Sequence, residues 1–107
     1  MLYLLHFERP LRNGSQHYLG YSKDEKTLKR RIQSHRKGLD WRNGGAKITQ
    51  HLYEDGIGFK VVRVWKGTPF DEKRLKSYHN HKRYCPLCRK KPAKVKGLEE
   101  VNHVQDN

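Results

Sequence analysis

Leu2-Tyr3-Leu4-Leu5-His6-Phe7 is the stretch from which the fold can be read. Side chains alternate sides along a strand, so Leu2, Leu4 and His6 share one face and Tyr3, Leu5 and Phe7 share the other. Both faces are mostly apolar, which predicts a central strand covered on both sides. Downstream, Pro10, Asn13-Gly14 and Ser15 mark a turn-rich loop, and His17-Tyr18-Leu19-Gly20-Tyr21 reads as a second strand. So short a connection favours an antiparallel hairpin. Ser22 and Asp24 are N-cap candidates for a helix whose inner face carries Leu28, Ile32, His35 and Leu39, with Gly38 as its stop. Residues 40–45 form a loop, and Ala46 to Tyr53 a short helix with Ile48, Leu52 and Tyr53 inward, stopped at Gly56. Ile57 to Trp65 is a third strand, with Ile57, Phe59 and Val61 on one face and Val62 and Val64 on the other. Thr68-Pro69 starts a last helix, with Asp71 and Glu72 near the positive end of its dipole and Phe70, Leu75 and Tyr78 buried. The expected class is α+β: a small three-stranded, mainly antiparallel sheet flanked by helices, in the order β-β-α-α-β-α.

The chain has 107 residues, the size of one domain, and 34% of them are hydrophobic, which implies a small core. No stretch approaches the ~18–20 apolar residues that span a bilayer. The first residues lack the basic region and the long apolar run of a signal peptide, so a cytoplasmic location is expected. The 24 Lys and Arg against 11 Asp and Glu leave a formal net charge of +13. Such an excess points to a polyanionic partner, nucleic acid before an anionic membrane. From Lys73 to Leu98 there is no acidic residue among ten Lys and Arg. Arg89 to Asn107 has no aromatic residue and one proline, and is expected to be a disordered basic tail, 89–107, following a domain over 1–88.

Tyr3 in the first strand, Tyr18-Leu19-Gly20 in the second, and Leu28-Lys29-Arg30-Arg31-Ile32-Gln33-Ser34-His35 on a helix resemble the GIY-YIG endonuclease family, with Glu72 before Leu75-Lys76 matching its later glutamate. The likeness runs from about Leu2 to Arg83. It departs from the pattern in three places: Met1-Leu2-Tyr3 lacks the first glycine, the loop between the tyrosine motifs is longer than usual, and Asn80 is only a loose match for the asparagine many members carry. The resemblance implies a DNA endonuclease that hydrolyses phosphodiester bonds with Mg²⁺ (or Mn²⁺). In it, Tyr18 is the general base or its partner, aided by Tyr3, Arg31 stabilises the phosphate, His35 orients or assists, and Glu72 ligates the metal. Elementary chemistry allows these roles. A phenol with a pKa near ~10 becomes a useful base beside a cation or metal. An arginine can meet phosphate oxygens bidentately. A single carboxylate suffices for Mg²⁺, which keeps much of its water. Taken singly, each residue has an ordinary explanation as a strand aromatic, a solvated basic face or a first-turn acid; their joint order favours the site. The competing reading is a non-catalytic nucleic-acid-binding module with the same fold and charge.

Lys29, Arg30, Arg36, Lys37, Lys47, Lys76, Lys82 and Arg83 are the expected nucleic-acid contacts. The partner is DNA, branched or damaged forms included, with no membrane partner, no small-molecule cofactor, and a monomer or weak dimer. Gly44-Gly45-Ala46-Lys47 opens a helix without Walker spacing. Trp41, among Arg42 and Asn43, is a base-stacking candidate. Cys85-Pro-Leu-Cys88 follows His79 and His81 closely enough to suggest a zinc set. On a helix, however, residues two apart point about 200° apart, so zinc at His79/His81/Cys85/Cys88 is not expected and the cysteines are read as free thiols. A small zinc-stabilised interaction protein built on this end is the third reading.

Overall fold

The computed structural model describes residues 1–38, 47–78 and 81–101. The elements are β1 (Leu2–Phe7), β2 (His17–Tyr21), α1 (Glu25–Lys37), α2 (Lys47–Glu54), β3 (Phe59–Lys66), α3 (Pro69–Lys76), a 3₁₀ turn (His81–Tyr84) and β4 (Glu99–Glu100). The class is α+β, with an antiparallel sheet in the order β2-β1-β3-β4. Four strands replace the expected three because the presumed tail returns to the sheet: β4 pairs with the end of β3 at Trp65 and Lys66.

β1 is central and its two faces serve two cores. Tyr3, Leu5 and Phe7 join Leu28 and Ile32 of α1, Leu52 of α2, and Ile57, Phe59 and Val64. Leu2 and Leu4 join Leu19, Trp65, Leu75 of α3, Tyr84, Cys85 and Val95. Each side chain so enclosed contributes about 1.5–3 kcal/mol of transfer free energy. The first core roofs the sheet with α1 and α2; the second is closed by α3 and the segment 84–98.

Local chemistry sets the helix ends. The Asp24 carboxylate accepts from the Thr27 amide at 2.7 Å, and Gly38 ends α1 at φ +67°. Thr68 and Asp71 form a reciprocal capping box on α3, with Pro69 opening the helix. The hairpin loop is tied down by Leu11, which enters the first core, and by Arg9, which donates to the Asp55 carbonyl at 2.8 Å.

Three expectations about faces are corrected. The β1–β3 register shifts between Leu4 and Leu5, so Leu4 faces Arg63 while Leu5 faces Val61. Val62 is the extra residue of a bulge, which puts Val64 on the same side as Phe59 and Val61, not opposite them. On α3 only Leu75 is buried; Phe70 is 75% and Tyr78 51% exposed. Tyr53 of α2 also faces outward, its ring resting where a side chain at Gly38 would lie.

The tail reading fails for residues 89–101, and the reason is Arg63. This arginine is buried on β3. It donates to the carbonyls of Tyr84 at 3.2 Å and Ala93 at 2.6 Å, and through Nε to Glu100 at 2.9 Å. Its guanidinium stacks on the Trp65 ring at 4.8 Å. One planar fork thereby satisfies two carbonyls and a carboxylate of a segment with little apolar content. Val95 and Leu98 supply the apolar contacts.

Candidate functional site

The first face of the sheet gathers the tyrosine and histidine residues picked out by the sequence. Register alone puts Tyr3 opposite Gly20 and Leu5 opposite Tyr18, so Tyr3 and Tyr18 emerge on the side covered by α1. His35, on the buried flank of α1, comes down onto them. The Tyr3 hydroxyl and His35 Nε2 are hydrogen-bonded at 3.0 Å. The Tyr3 and Tyr18 ring centroids are 6.2 Å apart, and those of Tyr18 and His35 5.9 Å, edge to face. Tyr3 and His35 are enclosed, whereas Tyr18 is half-buried at the margin of the first core.

Gly20 makes this approach possible. A Cβ at that position would lie 2.5 Å from the Tyr3 hydroxyl oxygen and overlap Cζ, so any side chain larger than hydrogen would displace the phenol. The Tyr-x-Gly spacing is therefore a packing requirement as well as a motif.

Glu72 stands in the first turn of α3 and pairs with Lys76 one turn on, at 3.4 Å. The Lys76 ammonium lies 5.5 Å from the Tyr18 ring centroid. Tyr18 sits on the edge strand β2, against which α3 packs, so Glu72 connects to the tyrosine cluster through Lys76. The neighbouring Asp71 is committed elsewhere. The Thr68 backbone N–H, then its hydroxyl and Arg74, hold its carboxyl below the ordinary carboxylate range. Arg31 is exposed one turn before His35. A cavity of about 340 Å³ opens beside His35, lined also by Arg36, Leu52, Tyr53 and Phe59.

The expected nucleic-acid contacts divide. Arg30, Lys37, Lys82 and Arg83 are exposed, while Lys29 is exposed and paired with Glu25 at 3.6 Å. Arg36 is committed to β3: it donates to the Phe59 carbonyl at 3.3 Å and stacks on that ring at 4.3 Å. Lys47 lines a groove of about 580 Å³ with Arg12 and His51, faced by Glu54 and Asp55. Trp41, Gly44, Gly45, Ala46, His79 and Asn80 lie outside the described residues.

The second face assembles a set of side chains that the sequence reading missed. His6 of β1 and His17 of β2 are direct cross-strand partners, and Cys85-Pro-Leu-Cys88 turns over them. His6 Nδ1 lies 3.2 Å from His17 Nε2, 3.4 Å from Cys85 Sγ and 3.6 Å from Cys88 Sγ; Cys88 Sγ lies 3.4 Å from His17 Nε2. All four ligand atoms fall within 4.8 Å of one another, a cluster able to bind a metal. Among the described residues, the histidines gathered with the two cysteines are His6 and His17, whereas the sequence pointed to the adjacent His79 and His81. Burial above all, then His6, His81 and Lys82, pushes the His17 imidazole down to about 4. Burial, then Lys60, lowers His6, and burial, then Cys85, raises the Cys88 thiol. The signal available in the sequence was the hairpin itself: pairing residues 2–7 with 17–21 brings His6 against His17.

No helix among the described residues is long and apolar enough to cross a membrane. No family model, curated protein or solved structure matches the chain.

Proposed function

We propose that the chain is a metal-dependent endonuclease that hydrolyses DNA phosphodiester bonds at the Tyr3–Tyr18–His35 cluster. The observation that carries this reading is the Tyr3–His35 hydrogen bond of 3.0 Å, with the Tyr18 ring edge-on to the same imidazole. Three polar aromatic residues from three separate elements meet at one place, at the open edge of a strongly basic domain. An ordinary core would fill that position with aliphatic side chains.

Tyr3 and His35 are positioning residues, since both are enclosed. Their bond fixes the imidazole against the Tyr18 ring. Tyr18 is the group that reaches substrate. It takes a proton from the attacking water as the new P–O bond forms and the old one breaks. Lys76 places a positive charge over that ring, where it favours the phenolate that serves as the base; the transfer returns Tyr18 to the neutral phenol. Arg31, free to turn on the exposed flank of α1, meets the charge that develops on the phosphoryl oxygens.

Glu72 fits a hard divalent cation. It offers one partly enclosed carboxylate, 21% exposed, and its Lys76 partner can be displaced, whereas Asp71 is spent in the helix cap. Glu72 would hold Mg²⁺ (or Mn²⁺), which when bound polarises the phosphoryl group and carries charge on the leaving oxygen.

The experiment presents supercoiled, linear, branched and single-stranded DNA to the purified chain with Mg²⁺ or Mn²⁺. Cleavage is expected, abolished in Glu72→Ala and slowed on the order of 10²-fold in Arg31→Ala with affinity retained. Failure of the parent chain to cut any form while still binding DNA would overturn the proposal in favour of a binding module.

A further inference from the structure

We propose that His6, His17, Cys85 and Cys88 form a structural zinc site that fastens the C-terminal segment to the β1–β2 hairpin. The inference stands on the second face of the sheet and does not depend on the endonuclease reading. Its first support is metric. A tetrahedral zinc with Zn–N near 2.05 Å and Zn–S near 2.3 Å requires edges of about 3.3 Å between nitrogens and about 3.6 Å between nitrogen and sulfur. The corresponding separations are 3.2 Å for His6–His17 and 3.4, 3.6 and 3.4 Å for the nitrogen–sulfur pairs.

The second support is valence. His6 Nδ1 has three polar neighbours within 3.6 Å. One ring nitrogen has a single lone pair or a single proton, so it can serve one of these as a hydrogen-bond partner and not three. A cation among the four atoms satisfies all of them at once. The cysteines are free thiols, so no disulfide competes for the sulfurs.

The donor set selects the metal. Two thiolates and two imidazoles suit zinc far better than Mg²⁺, a hard cation that prefers oxygen ligands. The two thiols release their protons to solvent on binding, and two thiolates with one Zn²⁺ leave the centre neutral. Four protein ligands leave no open position, which makes the site structural and not hydrolytic. Its mechanical role follows from where the ligands come from. His6 and His17 belong to the rigid hairpin, while Cys85 and Cys88 begin the stretch that carries Val95 and β4. Because His17 and Tyr18 are neighbours facing opposite sides of β2, the same ion would also hold the strand that presents Tyr18.

The test is elemental analysis of the full chain expressed with added zinc and passed over chelating resin, together with cobalt replacement read in the visible spectrum. About one zinc per chain is expected, and cobalt should give the intense bands of a tetrahedral thiolate site. Cys85→Ser/Cys88→Ser should lose the metal, His17→Cys should keep it, and Glu72→Ala should keep it in full. Chelation should speed amide exchange over residues 84–98. Should the double serine variant fail to fold, the parent's cobalt spectrum and His17→Cys decide. A parent chain with neither zinc nor a tetrahedral cobalt spectrum overturns the proposal, as does zinc retained undiminished in a folded Cys85→Ser/Cys88→Ser variant.

Discussion

A methyl group at position 20 would meet Tyr3 Oη at 2.5 Å and overlap Cζ, and both lie within a core that has no slack to absorb them. Gly20→Ala should therefore destabilise by about 1–3 kcal/mol through overpacking and swing the phenol off His35. Tyr3→Phe is the companion: it keeps the ring, removes the 3.0 Å hydrogen bond, and should cost about 1 kcal/mol. Thermal unfolding and DNA cleavage measured on both variants separate the two effects. A Gly20→Ala chain as stable and as active as its parent would mean that the close approach is not what position 20 is for. Tyr3, Tyr18 and His35 were singled out by the resemblance of their ordered motifs to a known family; strand alternation and helical spacing add only the face of its element that each occupies. The histidines of the proposed zinc site were out of reach of the sequence: Cys85 is 79 residues from His6, and a search for ligands near the cysteines in sequence stops at His79 and His81.

At the scale of elements, α3 is held more by its ends than by its face. It buries Leu75 alone, yet carries a complete capping box. Thr68→Ala should cost about 1 kcal/mol, read as a lower unfolding midpoint in denaturant. The cap also ties stability to pH. Hydrogen bonds from Thr68 depress the Asp71 carboxyl below its value in the unfolded chain. Its contribution is therefore complete above the ordinary carboxylate range and disappears as pH falls through the depressed native value. Asp24, depressed by the Thr27 amide at the head of α1, behaves alike. Asp71→Asn should be less stable than the parent at neutral pH, and the gap should close on acidification below that range. A gap of constant size from neutral to acid pH would remove the cap charge from the account. The cap was readable from Thr68-Pro69-Phe70-Asp71, a local pattern. The β3 bulge was not: inserting Val62 flips the phase of every later side chain, and nothing in a run of valines marks which residue is extra.

For the whole molecule, the balance between charge and packing is concentrated in residues 89–101. By composition this segment is basic and poor in apolar residues, which is why it reads as a tail. Arg63 reverses that reading through contacts no local window contains: an arginine in a strand looks exposed until the segment that covers it is known. Deleting residues 89–107 thus removes basic charge and a closing layer of the second core together, and would lower both stability and DNA affinity without telling them apart. Two variants divide the effects. Arg63→Met keeps a long apolar stem but loses the donors to Tyr84, Ala93 and Glu100, and should cost on the order of 2–3 kcal/mol. Lys90→Ala/Lys91→Ala touches two exposed side chains and should leave the unfolding midpoint within about 0.5 kcal/mol of the parent. On the proposed DNA-binding surface it should instead flatten the salt dependence of affinity, by ~0.9 in logarithmic slope for each phosphate no longer neutralised. Equilibrium unfolding and binding titrations across a salt series measure both quantities on the same proteins. If Arg63→Met unfolds like the parent, the segment is not a structural layer. If the double alanine variant leaves the salt slope unchanged, the segment's charge lies away from the nucleic acid, and binding must come from the exposed flank of α1 with Arg30, Arg31 and Lys37.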